Sequence, residues 1–165
     1  MTLGASLFIG FLIVQRLSEL VIAQRNTKAL LAEGAVEVSA RHYPLIVVVH
    51  AAWIAAIVLL GMDESIRPGW LAVFVLLQAF RVWILVTLGR RWTTRIIVTG
   101  TPLVAKGPFL WLRHPNYTLV VAEIAVAPMV LGLWQVALVF SILNAGVLAL
   151  RIPAEDRALR PYRDA

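Results

Sequence analysis

The sequence predicts an all-α integral membrane protein, a helical bundle of about five transmembrane helices. Of its 165 residues, 61% are hydrophobic and only 15% are charged, and the apolar residues form long blocks rather than alternating patterns. A backbone in the water-free bilayer core must be helical or form a closed barrel, and blocks of about 20 apolar residues favour helices. We expect one domain over residues 1–165, with a three-helix part at 1–89 and the remaining elements at 90–165.

The apolar blocks predict spans at residues 2–24, 43–61, 69–89, 117–131 and 133–150. The last two blocks are short and only Gly132 separates them, so they form either a full helical hairpin or a partly re-entrant one. The first block lacks a basic region and a convincing cleavage site, which predicts a retained helix rather than a signal peptide.

The distribution of basic residues predicts the orientation of the chain. Twelve of the fifteen lysines and arginines fall in segments 25–42 and 90–116 and in the tail after residue 150. Arg67 is alone on the opposite side, and Arg16 and Arg81 lie within spans. The positive-inside rule then places the N-terminus outside and the tail in the cytoplasm. We expect a multi-pass protein of the cell membrane.

Charge and composition also exclude several classes of function. The net charge of +6 is explained by anchoring to anionic lipid headgroups, so we expect membrane lipids and no nucleic acid as partners. The absence of cysteine excludes disulfides, thiolate metal sites and a cysteine nucleophile. The three histidines, His42, His50 and His114, lack the spacing of metal ligands, so we expect no metal.

Several ionisable residues lie within the predicted spans, where charge is costly and needs a partner. Arg16 and Glu19 are three residues apart and can pair on one helix face. Arg81 requires an acidic partner, for which Glu19 and Glu123 are the only choices within spans. These groups either pin helix packing or contact a substrate. For His50, a hydrogen bond to a neighbour is the more common role.

The segment 90–116 is the longest polar stretch of the chain. Residues 96–98 predict a short extended piece and residues 99–102 a turn. Residues 109–112 are expected to lie along the membrane interface. His114 precedes Pro115 and is therefore biased toward extended backbone. Asn116 is expected to cap the next helix, whose positive end favours an anionic group.

The last apolar hairpin concentrates polar residues at both of its ends. Glu123 lies two turns into its first helix, roughly 10 Å along the axis. On the return helix Asn144, Arg151 and Glu155 fall on one stripe. Pro153 is expected to interrupt this helix, so that a kinked or restarted turn folds over a ligand.

A plainer interpretation of the hairpin has Arg113 and Arg151 anchored to lipid, with Glu155 and Asp156 solvated. Each residue alone would favour it. Their convergence from two helices on one face of the bilayer favours a single site.

This pattern resembles the isoprenylcysteine carboxyl methyltransferase family of integral membrane enzymes over about the last 75 residues. The resemblance rests on residues 107–109 (Gly-Pro-Phe), 113–117 (Arg-His-Pro-Asn-Tyr), Glu123, Arg151 and the pair Glu155-Asp156. Segment 92–97 and the Arg16–Glu19 helix are similar to a small bacterial branch that is often associated with type III polyketide synthases.

The resemblance implies a methyltransferase that uses S-adenosyl-L-methionine without a Rossmann domain. The cofactor would lie between the cytoplasmic segment, the last two helices and the tail. The residues expected to bind it are His114, Pro115, Tyr117, Asn144 and Glu155. The residues expected to act in catalysis are Arg113, Arg151 and Glu123.

The chemistry of methyl transfer agrees with this set. Displacement at a sulfonium is in-line, so holding acceptor and donor in register supplies much of the rate. Arg151 or Arg113 can stabilise a carboxylate or phenolate bidentately. A carboxylate acceptor needs no general base, whereas a phenol or enol would use Glu123 or His114.

The leading hypothesis is an O-methyltransferase acting on a carboxyl or hydroxyl group of a lipophilic substrate that enters from the bilayer. Isoprenylcysteine-like acids, alkylpyrones and alkylresorcinols are the candidate acceptors. One alternative is N-methylation of a phospholipid headgroup. Another is a small non-enzymatic membrane carrier, which is disfavoured because most polar residues cluster at one face. The sequence does not predict the oligomeric state.

Overall fold

The protein is a bundle of five long helices in a computed structural model that describes residues 2–162. The helices are α1 (Leu3–Ala32), α2 (Tyr43–Gly61), α3 (Pro68–Leu88), α4 (Pro115–Val130) and α5 (Trp134–Leu159). Within the described residues the only sheet is an antiparallel ribbon of β1 (Val36–Val38) and β2 (Ile96–Val98), in which Val36 lies opposite Val98. The all-α prediction is confirmed.

Four of these helices are long and apolar enough to cross a membrane within residues 2–162, namely α1, α2, α3 and α5. The fifth, α4, has 16 residues, which corresponds to about 24 Å of helix and falls short of a bilayer core of about 30 Å. Large apolar side chains point outward along the bundle, with Leu59 80% exposed and Val86 76% exposed. A water-soluble monomer rarely exposes such a surface, so the membrane bundle is confirmed.

Backbone contacts define the two ends of the bundle. At one end the amide of Thr2 donates to Met62 (2.9 Å) and that of Arg67 to Val130 (2.8 Å); we call this the turn end. At the other end the amide of Leu103 donates to Tyr162 (3.4 Å). This polar end holds segments 33–42, 89–114 and 160–162, which carry seven of the fifteen lysines and arginines. Its cytoplasmic location remains a prediction.

The core divides into two clusters along the bundle axis. The larger one lies toward the turn end, where Phe8 packs edge-on against Phe74 with ring centroids 5.1 Å apart. Its largest buried members also include Leu12, Trp53, Ile57 and Ile124. The smaller one lies toward the polar end and consists of Ala23, Ile84, Trp92 and Leu119. Trp92 thus ties the polar segment to the helices.

The first helix is longer than its predicted span of 2–24, because it continues to Ala32. Residues 27–32 are mostly good helix formers, and Thr27 and Leu30 are buried against the bundle. The Asn26 side-chain amide donates to the carbonyls of Trp92 (2.8 Å) and Gly89 (3.3 Å).

Two local predictions were wrong. Asn116 does not cap α4: the helix begins at Pro115 after His114, and the Asn116 side chain accepts from the Trp92 indole (3.2 Å). Pro153 does not interrupt α5, which runs unbroken through it. Buried Arg151 and Ala154 hold the helix on both sides of the proline, and membrane helices tolerate proline when neighbours replace the lost contact.

The polar segment follows the prediction more closely. Residues 96–98 form β2 as expected, although their partner strand β1 gave no sequence signal. Gly107–Leu110 form a short 3₁₀ turn, after which Trp111 is 83% exposed. That exposure agrees with a position along the interface.

Candidate active site

The start of α4 and the end of α5 bring the predicted site residues together at the polar end. The two helices are antiparallel neighbours joined at Gly132, whose φ of +72° provides the tight turn. Tyr117 lies in the first turn of α4, and Glu155 lies in the last two turns of α5. Helix pairing thus places residues 38 positions apart in contact.

The contacting side chains form what we call the His114–Glu155 cluster. Its members are Arg113, His114, Tyr117, Glu155 and Asp156. The Nε2 of His114 lies 3.0 Å from Asp156 Oδ1, and its Nδ1 lies 3.6 Å from Glu155 Oε1. The Tyr117 hydroxyl donates to Glu155 Oε2. Arg113 Nη2 lies 3.5 Å from Asp156 Oδ2.

Electrostatics favour the protonated form of His114. Hydrogen bonding and charge attraction from Glu155, followed by the charge of Asp156, raise the pKa of His114 above its usual value despite partial burial. His114 is therefore held between two carboxylates that favour its protonated form. The Tyr117 ring lies beside it, with ring centroids 5.6 Å apart.

Two buried polar residues of α5 lie behind the cluster. Asn144 and Arg151 are only 1% and 3% exposed. Arg151 Nη2 donates to the carbonyl of Thr94 (2.9 Å), but Arg151 Nε and Asn144 Oδ1 have no hydrogen-bond partner in the protein. Leaving such a group unsatisfied costs roughly 1–3 kcal/mol. Both unpaired atoms lie on the stripe of α5 that leads to Glu155.

Glu123 lies apart from the cluster. Its Oε1 accepts from Gln78 Nε2 (3.0 Å) and Arg81 Nε (2.9 Å). Its Oε2 accepts from Arg16 Nη2 (2.6 Å) and Arg81 Nη2. The residue is fully buried, so four donors from α1 and α3 occupy this carboxylate.

We call this second group the intramembrane ion network, with members Gln15, Arg16, Glu19, Gln78, Arg81 and Glu123. The predicted pair of Arg16 with Glu19 is confirmed (3.0 Å). Arg81 binds both of its possible partners, Glu19 at 2.8 Å and Glu123. The ring of His50 hydrogen-bonds the Ile46 carbonyl (2.8 Å), as expected for a histidine bonded to a neighbour.

The family resemblance implied that the polar segment contributes to the site, but sequence reasoning missed which of its groups do so. The Thr94 carbonyl holds Arg151, and the Trp92 indole fixes Asn116 beside the start of α4. A backbone carbonyl carries no sequence signal. Pro115 fixes the first residue of α4 and is buried; it offers no donor to a ligand. In the described part of the chain, no three potential metal ligands come together.

The fold and the site together define the class of protein: a helical membrane protein with a polar site at one end of a helical hairpin. Comparison with known proteins gives the family. Residues 70–161 match the isoprenylcysteine carboxyl methyltransferase (ICMT) family. The chain therefore belongs to this family of membrane methyltransferases, and the match begins earlier than the last 75 residues, since it includes most of α3.

Two relatives cover nearly the whole chain. The uncharacterized protein YpbQ of Bacillus subtilis (strain 168) is 39% identical over 162 residues, which is 94% of this chain and 96% of that protein. An uncharacterized protein of Haemophilus influenzae is 27% identical over 152 residues, which is 87% of this chain and 88% of that protein. No solved structure matches the chain.

Proposed function

We propose that this protein is an S-adenosylmethionine-dependent O-methyltransferase that acts on a carboxyl or hydroxyl group of a lipophilic substrate. Membership of a methyltransferase family supports the reaction class. The observation that carries the site is the contact of His114 and Tyr117, at the start of α4, with Glu155 and Asp156 on α5. The polar end would face the cytoplasm, and the acceptor would enter from the bilayer.

The residues present fit the cofactor. S-adenosylmethionine, when bound, supplies an electrophilic methyl group on a sulfonium. Glu155 and Asp156 are acceptors for hydroxyl or amino groups, and His114 and Tyr117 flank them. The unpaired Asn144 Oδ1 offers a further buried acceptor. These residues, with Pro115 setting the start of α4, would hold the cofactor.

Arg151 is the residue best placed to hold an anionic acceptor group. Its guanidinium is buried, fixed by the Thr94 carbonyl, and retains an unpaired Nε–H. A preorganised cation in a site of low polarity stabilises charge more strongly than one in water. Arg113 is 63% exposed, so we assign it to the rim of the site, where it holds Asp156.

The geometry favours a carboxylate acceptor over a phenol or enol. A hydroxyl must lose its proton, but the carboxylates around His114 raise its pKa and so favour the protonated imidazole. The Glu123 carboxylate is occupied by four donors. We therefore propose that Glu123 positions α4 rather than accepting a proton. A carboxylate acceptor requires no base.

Calorimetry on the purified protein in detergent tests the site. We expect wild type to bind S-adenosylmethionine and its demethylated product. Glu155→Gln should weaken binding about 10- to 100-fold, because a hydrogen bond to a charged group contributes roughly 1.5–3 kcal/mol. Glu64→Gln at the turn end is the matched control. His114→Ala should also weaken binding, with membrane insertion unchanged.

Absence of binding by wild type would overturn the enzyme assignment. Wild-type affinity in both Glu155→Gln and His114→Ala would overturn the site assignment only. Mass spectrometry of products formed from a lipophilic carboxylic acid, a phenol and a phospholipid amine then distinguishes oxygen from nitrogen methylation.

A further inference from the structure

A cavity at the polar end of α3 lies outside the site described above. Its volume is about 540 Å³, and it is lined by the end of α3 and residues 90–91 on one side and by residues 104–106 on the other. None of its lining residues belongs to the His114–Glu155 cluster or to the intramembrane ion network. The cavity is therefore a separate feature of the polar segment.

The cavity is strongly basic. Its lining contains Arg90, Arg91 and Lys106 and no carboxylate. Arg90 Nη2 pairs with Glu33 outside the lining. Arg91 is held in place, because its Nη1 donates to the Pro102 carbonyl (2.7 Å) and its Nη2 to Thr101 Oγ1 (2.6 Å). Counting Glu33, two positive charges remain in excess, and they favour an anion.

Apart from Thr87, the rest of the wall is apolar. Leu88, Val104 and Ala105 line it. The adjacent surface of α3 is apolar as well, with Trp83 half exposed and Val86 mostly exposed. A basic pocket that continues into an apolar helix face fits an amphiphile with an anionic head, whereas free phosphate would leave the apolar wall unused.

The segment that closes the cavity is packed directly on α3. Gly107 has φ +58°, and a Cβ at this position would lie 2.8 Å from Thr87 Oγ1 and 3.1 Å from Trp83 Nε1. Only glycine allows this close approach. The cavity is thus a built feature, with its opening set by the contact of residue 107 with α3.

We propose that this cavity binds the phosphate of an anionic phospholipid, whose acyl chains lie along α3 beside Trp83 and Val86. A zwitterionic lipid fits less well, because its ammonium group meets an excess of cations. Arginine recognises phosphate through charge-assisted hydrogen bonds. The proposal does not depend on the methyl-transfer reaction, since it uses residues that the site does not.

Native mass spectrometry of the full chain in detergent tests the proposal. Phosphatidylglycerol and phosphatidylcholine with identical acyl chains are added at equal concentration. Wild type should retain one phosphatidylglycerol at least five times more often than one phosphatidylcholine. The variant R91Q/K106Q should lose this preference. The control K28Q/R41Q removes two exposed charges at the same end and should keep it.

Two further measurements test the proposal even if R91Q/K106Q folds poorly. Ala105→Trp places an indole in the wall of the cavity but leaves every cation, and it should also abolish retention of phosphatidylglycerol. Inorganic phosphate should not raise the unfolding temperature of wild type, whereas phosphatidylglycerol should.

Four outcomes would overturn the proposal. Equal retention of the two lipids by wild type would show no anion preference. Equal losses in R91Q/K106Q and K28Q/R41Q, or full retention in Ala105→Trp, would show diffuse attraction to the basic end. Equal stabilisation by inorganic phosphate would show a site for a free anion.

Discussion

The intramembrane ion network and the His114–Glu155 cluster use similar side chains in opposite ways. In the network two arginines and two glutamates balance, and Glu123 has no exposed surface. In the cluster the contacts are fewer and the carboxylates are partly open, with the Glu155 side chain 23% exposed. The comparison teaches that a buried, charge-balanced network holds helices together, whereas a partly exposed cluster can exchange its internal partners for a ligand.

The network joins three helices at matching depth. Arg16 and Arg81 each lie thirteen residues after the start of their helices, α1 and α3, which is about 20 Å along each axis. Glu123 of α4 enters between them from the other end. Charges in a membrane are costly unless paired, so the pairs fix the register of the three helices.

The largest expected effect comes from breaking the network. Glu123→Ala leaves Arg16 and Arg81 with Glu19 as their shared carboxylate, and loss of one partner from a buried ion pair costs roughly 3–5 kcal/mol. We expect a large fall in the unfolding temperature in detergent, measured by scanning fluorimetry. Glu64→Ala is the control. An unchanged unfolding temperature with lost methyl transfer would instead make Glu123 catalytic.

A smaller effect on stability is expected in the cluster. Asp156→Asn removes a partly exposed carboxylate that faces His114 and Arg113, and such ion pairs contribute at most about 1 kcal/mol. Binding of S-adenosylmethionine should fall more than stability does. If Asp156→Asn lowers the unfolding temperature as much as Glu123→Ala does, the proposed difference between the network and the cluster is wrong.

The pH dependence of stability should report on His114. Its pKa is raised in the folded protein by Glu155 and Asp156, so its contribution is fully present below the unfolded pKa and is lost as pH rises through the folded pKa. The unfolding temperature of wild type should therefore be higher than that of His114→Gln, and this difference should be larger at pH 6 than at pH 9. A difference that does not change with pH would contradict the stabilisation of protonated His114 by Glu155 and Asp156. The variant His42→Gln serves as the control.

The smallest effect is expected at the turn end, remote from both regions. Arg67→Ala removes a guanidinium that packs over Gly132 but touches neither the network nor the cluster. Binding of S-adenosylmethionine and methyl transfer should remain within about twofold of wild type, since surface changes usually shift stability by less than 0.5 kcal/mol. A tenfold loss would show that the turn between α4 and α5 controls the site.

Much of the fold could be predicted from sequence, because long apolar blocks identify the helices that can cross a membrane. The choice of partners for Arg81 could also be reduced to two residues by counting carboxylates in spans. The ribbon of β1 and β2 could not be predicted as a pair, since residues 36–38 form a strand only by pairing with residues 96–98. Local propensity predicts a break at Pro153, because it takes no account of the buried neighbours on both sides of the proline, and α5 continues through it.

By itself, the sequence determined the membrane class, the concentration of basic residues at one end and the residue types that meet in the hairpin. These follow from composition and helical spacing, which are local properties of the chain. Only the tertiary structure decided that Glu123 is saturated by α1 and α3 while Arg151 and Asn144 keep unpaired atoms. The reason is physical: hydrogen-bond saturation depends on which helices pack together, and spacing along one helix does not encode it.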